Sequence, residues 1–450
     1  MFKKILIANR GEIAVRIIRA CHELGIKTVA IHSEVDRDAM HVKLADESVC
    51  VGPGPAIESY LNIPNIISAA TITKADAIHP GYGFLAENTY FAEVCESCGI
   101  KFIGPTKEAI QKMGDKIAAR NLMQKSGIPI IPGTVSPIII DDPNLFKIAK
   151  KIGYPLLIKA SAGGGGKGMR VVTSEESLKT SIATAQIEAK SSFGNDQVYL
   201  EKFIEEPHHI EFQIAADNKG HICYFPERDC SIQRRHQKLV EESPAPKISK
   251  ELRRKMGKMA IKAARAAKYT TVGTVEFLVD KKENFYFLEM NTRIQVEHTV
   301  TETVTGIDLV KLQIQLADGE ELKHDSEKIP ILYHAIECRI NAEDPDKDFI
   351  PYPGKVRNFI PPGGPGVRLD THIYEGYNIP SFYDSLIAKL IVFGLTREES
   401  INRLSRALSE FKIEGVKTTI PFFEKVVNNE YFRKGDYCTD FIIKHIYGGE

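Results

Sequence analysis

The segment Glu289-Met290-Asn291-Thr292-Arg293-Ile294-Gln295-Val296-Glu297-His298 constrains this chain more than any other stretch. It continues the apolar run Phe285-Tyr286-Phe287-Leu288, yet seven of its ten residues are polar or charged. An acid, an amide, a guanidinium, an amide and an acid stand at positions 289, 291, 293, 295 and 297. Side chains alternate between the faces of a strand, so all five share one face if the chain stays extended to Glu297. Each charge on a buried face needs a partner, and those partners need not all be protein.

The preceding sequence supplies one partner. Thr274-Val275-Glu276-Phe277-Leu278-Val279-Asp280 reads as a strand, Lys281-Lys282-Glu283-Asn284 as a polar turn, and Phe285 onward as the return strand. Pairing Asp280 with Phe285 across that turn puts Glu276 opposite Glu289. The Cβ atoms of such a pair lie roughly 4.5–5.5 Å apart, and like charges there repel. A divalent cation turns that repulsion into a binding site. Glu276, Glu289 and the amide oxygen of Asn291 are hard ligands of the kind Mg2+ or Mn2+ takes together with substrate phosphates. The competing reading is a surface hairpin with solvated acids.

The rest of the sequence reads as α/β. Residues 3–8 form a strand, 12–24 a helix and 27–32 a second strand, a βαβ unit with its turn at Asn9-Arg10-Gly11. Ala77-Ile78-His79 and Lys101-Phe102-Ile103-Gly104 extend it into an open α/β domain, whose turn lacks G-x-G-x-x-G. Gly114-Asp115-Lys116 opens a helix that Gly127 and Pro129 close. A smaller α/β segment follows from 145 to 204. Residues 249–268 form a basic-faced helix, and a Pro/Gly-rich link at 351–366 precedes a helix over 397–417.

Between the strands Leu156-Leu157-Ile158-Lys159-Ala160 and Val171-Val172 lies Ser161-Ala162-Gly163-Gly164-Gly165-Gly166-Lys167-Gly168-Met169-Arg170. Its glycines let backbone N–H groups approach phosphate oxygens closely. Lys167 is followed by Gly168 and the loop joins strand to strand, so it is not a P-loop. A mobile flap over a nucleotide fits, with a ligand-free hairpin tip as the alternative. Lys159 lies in a strand that otherwise reads as buried. His208 and His209 face opposite ways on a strand, leaving one ring to meet a phosphate. The run Gln233-Arg234-Arg235-His236-Gln237-Lys238 reads as a loop-like anion site.

Lys+Arg and Asp+Glu both number 59, so no overall field draws the chain to nucleic acid or an anionic membrane. No apolar run reaches membrane-spanning length. The short apolar start runs into Asn9-Arg10-Gly11, which favours a cytoplasmic protein over a secreted one. Of eight cysteines only Cys95 and Cys98 are close, in a helix-like stretch, so reduced thiols are the simpler reading than zinc or redox use.

Taken together, Lys159, the 163–168 flap, Glu201-Lys202-Phe203-Ile204 and Glu276…Glu289-x-Asn291 resemble the ATP-grasp superfamily. More narrowly, the sequence resembles the biotin carboxylases. The motifs are Ala8-Asn9-Arg10-Gly11-Glu12-Ile13-Ala14, His79-Pro80-Gly81-Tyr82-Gly83-Phe84-Leu85-Ala86-Glu87-Asn88, Glu227-Arg228-Asp229-Cys230 through Lys238, and Glu289 through His298. The resemblance covers nearly the whole chain. It implies an N-terminal Rossmann-like domain at 1–115 and an ATP-grasp domain at 116–330 with a mobile lid at about 131–204. A C-terminal biotin carboxylase domain would occupy 331–447.

The resemblance also implies a reaction and its residues. ATP phosphorylates bicarbonate to carboxyphosphate, whose carbon dioxide is captured by N1 of biotin. Lys116, Lys159 and His209 would meet ATP phosphates beneath Gly164, Gly165 and Gly166. Glu201, Lys202, Phe203, Ile204 and Leu278 would border adenine, with Gln233 and His236 on the ribose side. Glu276 and Glu289, helped by Asn291, would hold two Mg2+ or Mn2+ ions. Lys238, Arg293, Gln295 and Val296 would bind bicarbonate, Glu297 would be the general base, and Arg339 would stabilise the enolate-like biotin oxygen beside Tyr82 and Gly83. Biotin would arrive on a separate carrier protein, because Met256-Gly257-Lys258-Met259 is not a biotinylation motif and a carboxyltransferase would be another chain. A homodimer is expected, with Arg16, Arg19 and Glu23 as contact candidates.

Overall fold

The computed structural model describes residues 1–161 and 168–448. Five short parallel strands form the N-terminal sheet, in the order Glu47–Gly52, Lys27–Ser33, Lys4–Ile7, Ala77–His79, Lys101–Phe102. Both faces are apolar, as a parallel sheet requires. Ile5 and Ile7 pack with Ile13 and Ile17 of the helix Gly11–Glu23. Leu6, Val29, Ile31 and Ile78 pack on the other side with Ile66, Ala69 and Phe91. Asn9-Arg10-Gly11 and the loop after His79 leave from the carboxyl ends of these strands, where open α/β sheets place their ligands.

A second sheet of nine strands spans the rest of the chain. Its main path runs Phe285–Asn291, Thr271–Val279, His208–Ala216, Arg228–Arg234, Gln237–Ser243, His334–Asn341, Leu386–Gly394, Val367–Thr371, all antiparallel. Helix Lys250–Ala267 covers one face. Its Met256, Ala260, Ala263 and Ala264 meet Ile210, Phe212, Ile214, Val275 and Phe277. Ser249 caps its N-terminus by accepting from the Leu252 amide, and its basic residues face outward except Arg253, which pairs with the buried Glu227. A third, three-stranded sheet (Arg170–Val172, Leu156–Ala160, Val198–Lys202) packs with the helices Leu145–Ile152 and Leu178–Phe193 around its own core.

Four expectations need correction. Val279, not Asp280, pairs with Phe285, so the hairpin register starts one residue off. A bulge between the Phe277–Phe287 and Glu276–Glu289 pairs restores it, and Glu276 does stand opposite Glu289. The return strand ends at Asn291, so the five polar residues do not share one strand face. Gln233 to Lys238 is not a loop but the tight end of a hairpin, whose turn residues Arg235 and His236 both have positive φ (49° and 66°). The helix expected over 397–417 ends at Glu410. Phe411 is buried, and Lys412–Glu414 pairs with Asn358–Ile360. The glycine flap, including Gly164, Gly165 and Gly166, lies outside the described residues.

Candidate active site

Alternation builds the charged face of the large sheet. In His208–Ala216 the residues Ile210, Phe212 and Ile214 go under the covering helix, leaving His209, Glu211 and Gln213 on the other side. The neighbouring strand repeats the pattern, with Val275, Phe277 and Val279 inward and Thr274, Glu276 and Leu278 outward. Register then sets Glu276 between Glu211 and Glu289, and Leu278 beside His209. Cations from other elements hold this row of carboxylates.

Lys238 is the centre of that arrangement. Its ammonium donates to Glu276 (2.8 Å), Glu297 (2.8 Å) and Glu211. Burial opposes the lysine charge, but the three carboxylates raise its pKa well above the ordinary value. Arg339 donates to the second oxygen of Glu297 at 2.9 Å and to Glu241 at 2.6 Å. Burial pushes the Glu297 carboxyl up, but Lys238, Arg339 and Arg228 outweigh it and hold that carboxyl well below the usual range. Glu276 is held down likewise: burial opposes, while Lys238 and the His209 ring, 2.8 Å away, win.

Arg228 and Glu211 belong to this cluster, although the sequence gives Arg228 no role beyond its place in the Glu227-to-Lys238 motif and does not single out Glu211. Arg228 has no exposed surface. It donates to Glu211 (2.6 Å), Gln213 (3.0 Å), Thr301 (2.8 Å) and Thr274 (3.1 Å). The alternation His209-Ile210-Glu211-Phe212-Gln213 is the signal that reveals Glu211. Nothing local marks Arg228 as buried.

Beyond Asn291 a turn, not strand alternation, gathers the remaining polar residues. Arg293 donates to Gln295 Oε1 (2.7 Å), Asn291 Oδ1 (3.1 Å) and Glu87 (2.9 Å). Gln295 and Asn291 in turn donate their amide hydrogens to Glu276, at 2.9 and 2.8 Å. The Val296 carbonyl accepts from Lys389 at 2.9 Å.

The three-stranded sheet supplies Lys159, whose ammonium lies 3.1 Å from Glu201. Arg120 also pairs with Glu201, so that carboxylate is committed to two cations. Lys202 donates to the carbonyls of Gly153 and Tyr154 at 3.0 and 2.7 Å, and Phe203 and Ile204 follow it out of the strand. Lys116 opens the helix Lys116–Lys125 and stands 4.0 Å from Glu289, its pKa lowered by burial. Gln233 is buried and His236 exposed at the hairpin end. Gly83 adopts φ +70°, and the Tyr82 hydroxyl donates to Glu12. Asn9 fixes that loop by donating to the carbonyls of Pro80 (2.6 Å) and Tyr82 (2.7 Å).

The donor set fits a hard divalent cation. Glu289 is partly exposed, lies across the ladder from Glu276 and is followed two residues later by an amide oxygen. Such a cation would supply charge neutralisation for a polyphosphate.

Family models match three consecutive stretches of the chain. Residues 1–110 match the biotin carboxylase N-terminal domain, 115–325 the ATP-binding domain of the carbamoyl-phosphate synthase L chain, and 337–444 the biotin carboxylase C-terminal domain. A biotin carboxylase of Nostoc sp. is 57% identical over 441 residues, covering 98% of both chains. The chain belongs to the biotin carboxylase family. Its activity is that of a biotin carboxylase, the ATP-dependent C–N ligation that forms carboxybiotin. A pyruvate carboxylase subunit of Methanothermobacter thermautotrophicus is 54% identical over 442 residues, 98% of this chain and 90% of that one. Among solved structures, the biotin carboxylase domain dimer of Hydrogenobacter thermophilus 2-oxoglutarate carboxylase matches with TM-score 0.95 and 49% identity. The match covers 99% of this chain and 98% of that one, which was crystallised with MgADP, ADP and bicarbonate. Among the described residues of this biotin carboxylase, no helix is long and apolar enough to cross a membrane.

Proposed function

We propose that this site carboxylates biotin in two steps at one charged centre. The convergence of Lys238 and Arg339 on Glu297 carries the assignment. Lys116, Lys159 and His209 bind the ATP phosphates. Glu276 and Glu289, with Asn291, would hold Mg2+ or Mn2+, whose charge would neutralise the polyphosphate. Phosphoryl transfer depends on positioning and charge neutralisation more than on covalent help, which suits a face made of fixed charges.

Bicarbonate lies against Lys238, Arg293, Gln295 and the Val296 backbone. Its entry shares the cations that hold Glu297 acidic, so the carboxylate's proton affinity rises when the substrate is present. Glu297 then takes the bicarbonate proton while a bicarbonate oxygen attacks the γ-phosphorus and ADP leaves. The C–O bond of carboxyphosphate breaks to carbon dioxide and phosphate. Glu297 gives its first proton up to bulk water, phosphate takes the N1 proton of biotin and hands it to the emptied Glu297 carboxylate, and N1 attacks carbon dioxide. Arg339 steadies the negative oxygen of the biotin ring beside Tyr82 and Gly83.

Biotin is carried here on a separate protein, and the finer reading is the first half-reaction of acetyl-CoA carboxylase. Support for a carried substrate is that Met256-Gly257-Lys258-Met259, which is not a biotinylation motif, lies within the helix Lys250–Ala267. The homodimer contact is assigned to Arg16, Arg19 and Glu23, which border a cavity of about 340 Å3 with Glu302, Asp308 and Arg368. Affinity capture of the tagged full chain from its native cells tests the finer reading. A biotinylated carrier with an acetyl-CoA carboxyltransferase is expected. Capture with a pyruvate or 2-oxoglutarate carboxyltransferase would overturn the acceptor and leave the biotin half-reaction standing.

A further inference from the structure

Lys389 is a lone cation in an apolar strand. It lies in Leu386–Gly394 among Ala388, Leu390 and Ile391, and none of its surface is exposed. The ladder places it directly beside Arg339 on one side and Asp370 on the other. Its ammonium donates to the carbonyl of Val296 at 2.9 Å and lies 3.1 Å from Glu12. Glu12 is in the first turn of Gly11–Glu23 and is itself 3% exposed. The same carboxylate oxygen accepts from the Tyr82 hydroxyl, while the other oxygen is buried without a partner among the described residues. One contact chain, Tyr82–Glu12–Lys389–Val296, therefore joins four segments that are remote in sequence.

An apolar pair would hold the same elements together at less cost, because both ions of a buried pair must be desolvated. What the ion pair adds is direction. The ammonium orients the Val296 carbonyl, and with it the peptide that leads into Glu297. The carboxylate orients the Tyr82 ring. We propose that Glu12 and Lys389 are positioning residues that fix the separation between the biotin side and the bicarbonate side of the site. This rests on the proposed placement of biotin at Tyr82 and Arg339 and of bicarbonate at Val296. The separation matters because carbon dioxide carries no charge by which the site can hold it. Its capture by N1 depends on how near the biotin stands when carboxyphosphate breaks. Loosening either end lets carbon dioxide escape, so ATP is cleaved without carboxybiotin being made.

The test uses the full chain with free biotin and measures both ADP and carboxybiotin. The double variant Glu12→Gln/Lys389→Met removes both charges and leaves neither ion stranded. It is expected to fold, to lose roughly 10- to 100-fold of its carboxybiotin formation, and to lose less of its ATP cleavage. The ratio of ADP to carboxybiotin therefore rises. A folded double variant with the wild-type ratio and biotin KM overturns the proposal. If the double variant does not fold, Glu12→Gln alone carries the test, since it keeps the shape of the side chain while removing its charge. The same rise in the ratio supports the proposal and an unchanged ratio overturns it. Arg339→Met separates the two levels of inference. If it leaves biotin kinetics unchanged, the biotin site itself is misplaced and the positioning role falls with it. If it impairs them while the Glu12 and Lys389 variants keep the ratio, the positioning role alone is wrong.

Discussion

The two large sheets bury their residues by opposite rules. In the parallel sheet each strand is a short apolar run with a hydrophobic core on both faces, Ile5 and Ile7 on one side and Leu6 on the other. In the nine-stranded sheet one face is equally apolar, but the other is a buried field of charge. His208–Ala216 shows both, with Ile210, Phe212 and Ile214 against the helix and His209, Glu211 and Gln213 against the site. An apolar contact is shared among many neighbours and degrades gradually. A buried charge depends on one or two named partners, and removing either leaves the other uncompensated. The catalytic region is thus the part of the molecule where residues are least independent.

The sharpest break of that interdependence is expected at Glu297. Glu297→Gln should lower turnover by roughly 100- to 10,000-fold while nucleotide binding persists. Steady-state ADP release and a nucleotide titration check it, and near-normal turnover would remove Glu297 as the base. Next in size, Arg228→Met leaves Glu211 with Lys238 as its one remaining cation among the described residues and should cost up to about 3–5 kcal/mol in urea unfolding. Adding Glu211→Leu should return most of that loss. Leu6→Ala in the parallel sheet should cost roughly 2–5 kcal/mol through the cavity it leaves, with no second substitution that recovers it by removing charge. A double variant as unstable as Arg228→Met would show that charge pairing is not the cause. A smaller effect is expected from Glu276→Gln with Glu289→Gln: metal-nucleotide affinity falling at least about tenfold. Unchanged metal affinity would refute the opposed-carboxylate argument.

The smallest expected effect separates the sheets by pH. His79 belongs to the parallel sheet, and burial, helped by Arg16, lowers its pKa to about 3. The unfolded chain takes up that proton from about 6.5 downward while the folded ring stays neutral, so stability falls as pH drops from 6.5 toward 3. Glu242 lies in the large sheet. Burial opposes its charge, but His334 and Arg397 hold it at about 2. Its contribution is complete above about 4.5 and is lost as pH falls toward 2. His79→Asn should therefore flatten the stability profile between pH 6.5 and 4.5, and Glu242→Gln only below 4.5. Identical profiles for both variants would erase the distinction.

The sequence makes local chemistry legible and hides long-range pairing. Strand and helix positions in the N-terminal region follow from apolar runs and glycine turns, and Glu276 and Glu289 do meet, through a bulge rather than the even ladder their spacing predicts. The route to Arg293 and Gln295 is different, because Thr292 begins a turn whose partner, Glu87, lies 205 residues away in sequence. Lys389 looks like a stray charge in an apolar run until Glu12 and Val296 are brought beside it. The helix expected over 397–417 stops early because Phe411 must enter the core and the next three residues complete a small sheet with Asn358–Ile360. In these cases a distant neighbour outweighs the local pattern.

The bulge in Phe285–Asn291 bears on which kinds of mutation this hairpin can survive. Before it Phe285 and Phe287 point into the core, and after it Met290 does, so inside and outside exchange parity at one extra residue. A substitution along this strand changes one contact. Loss of Leu288 would only remove the extra residue and leave Glu276 opposite Glu289, but loss of one residue between it and Asn291 would shift the phase of everything beyond and turn Met290 out of the core. Sequence drift here should accordingly show exchanges of one side chain for another but fixed length, as in a message read in pairs.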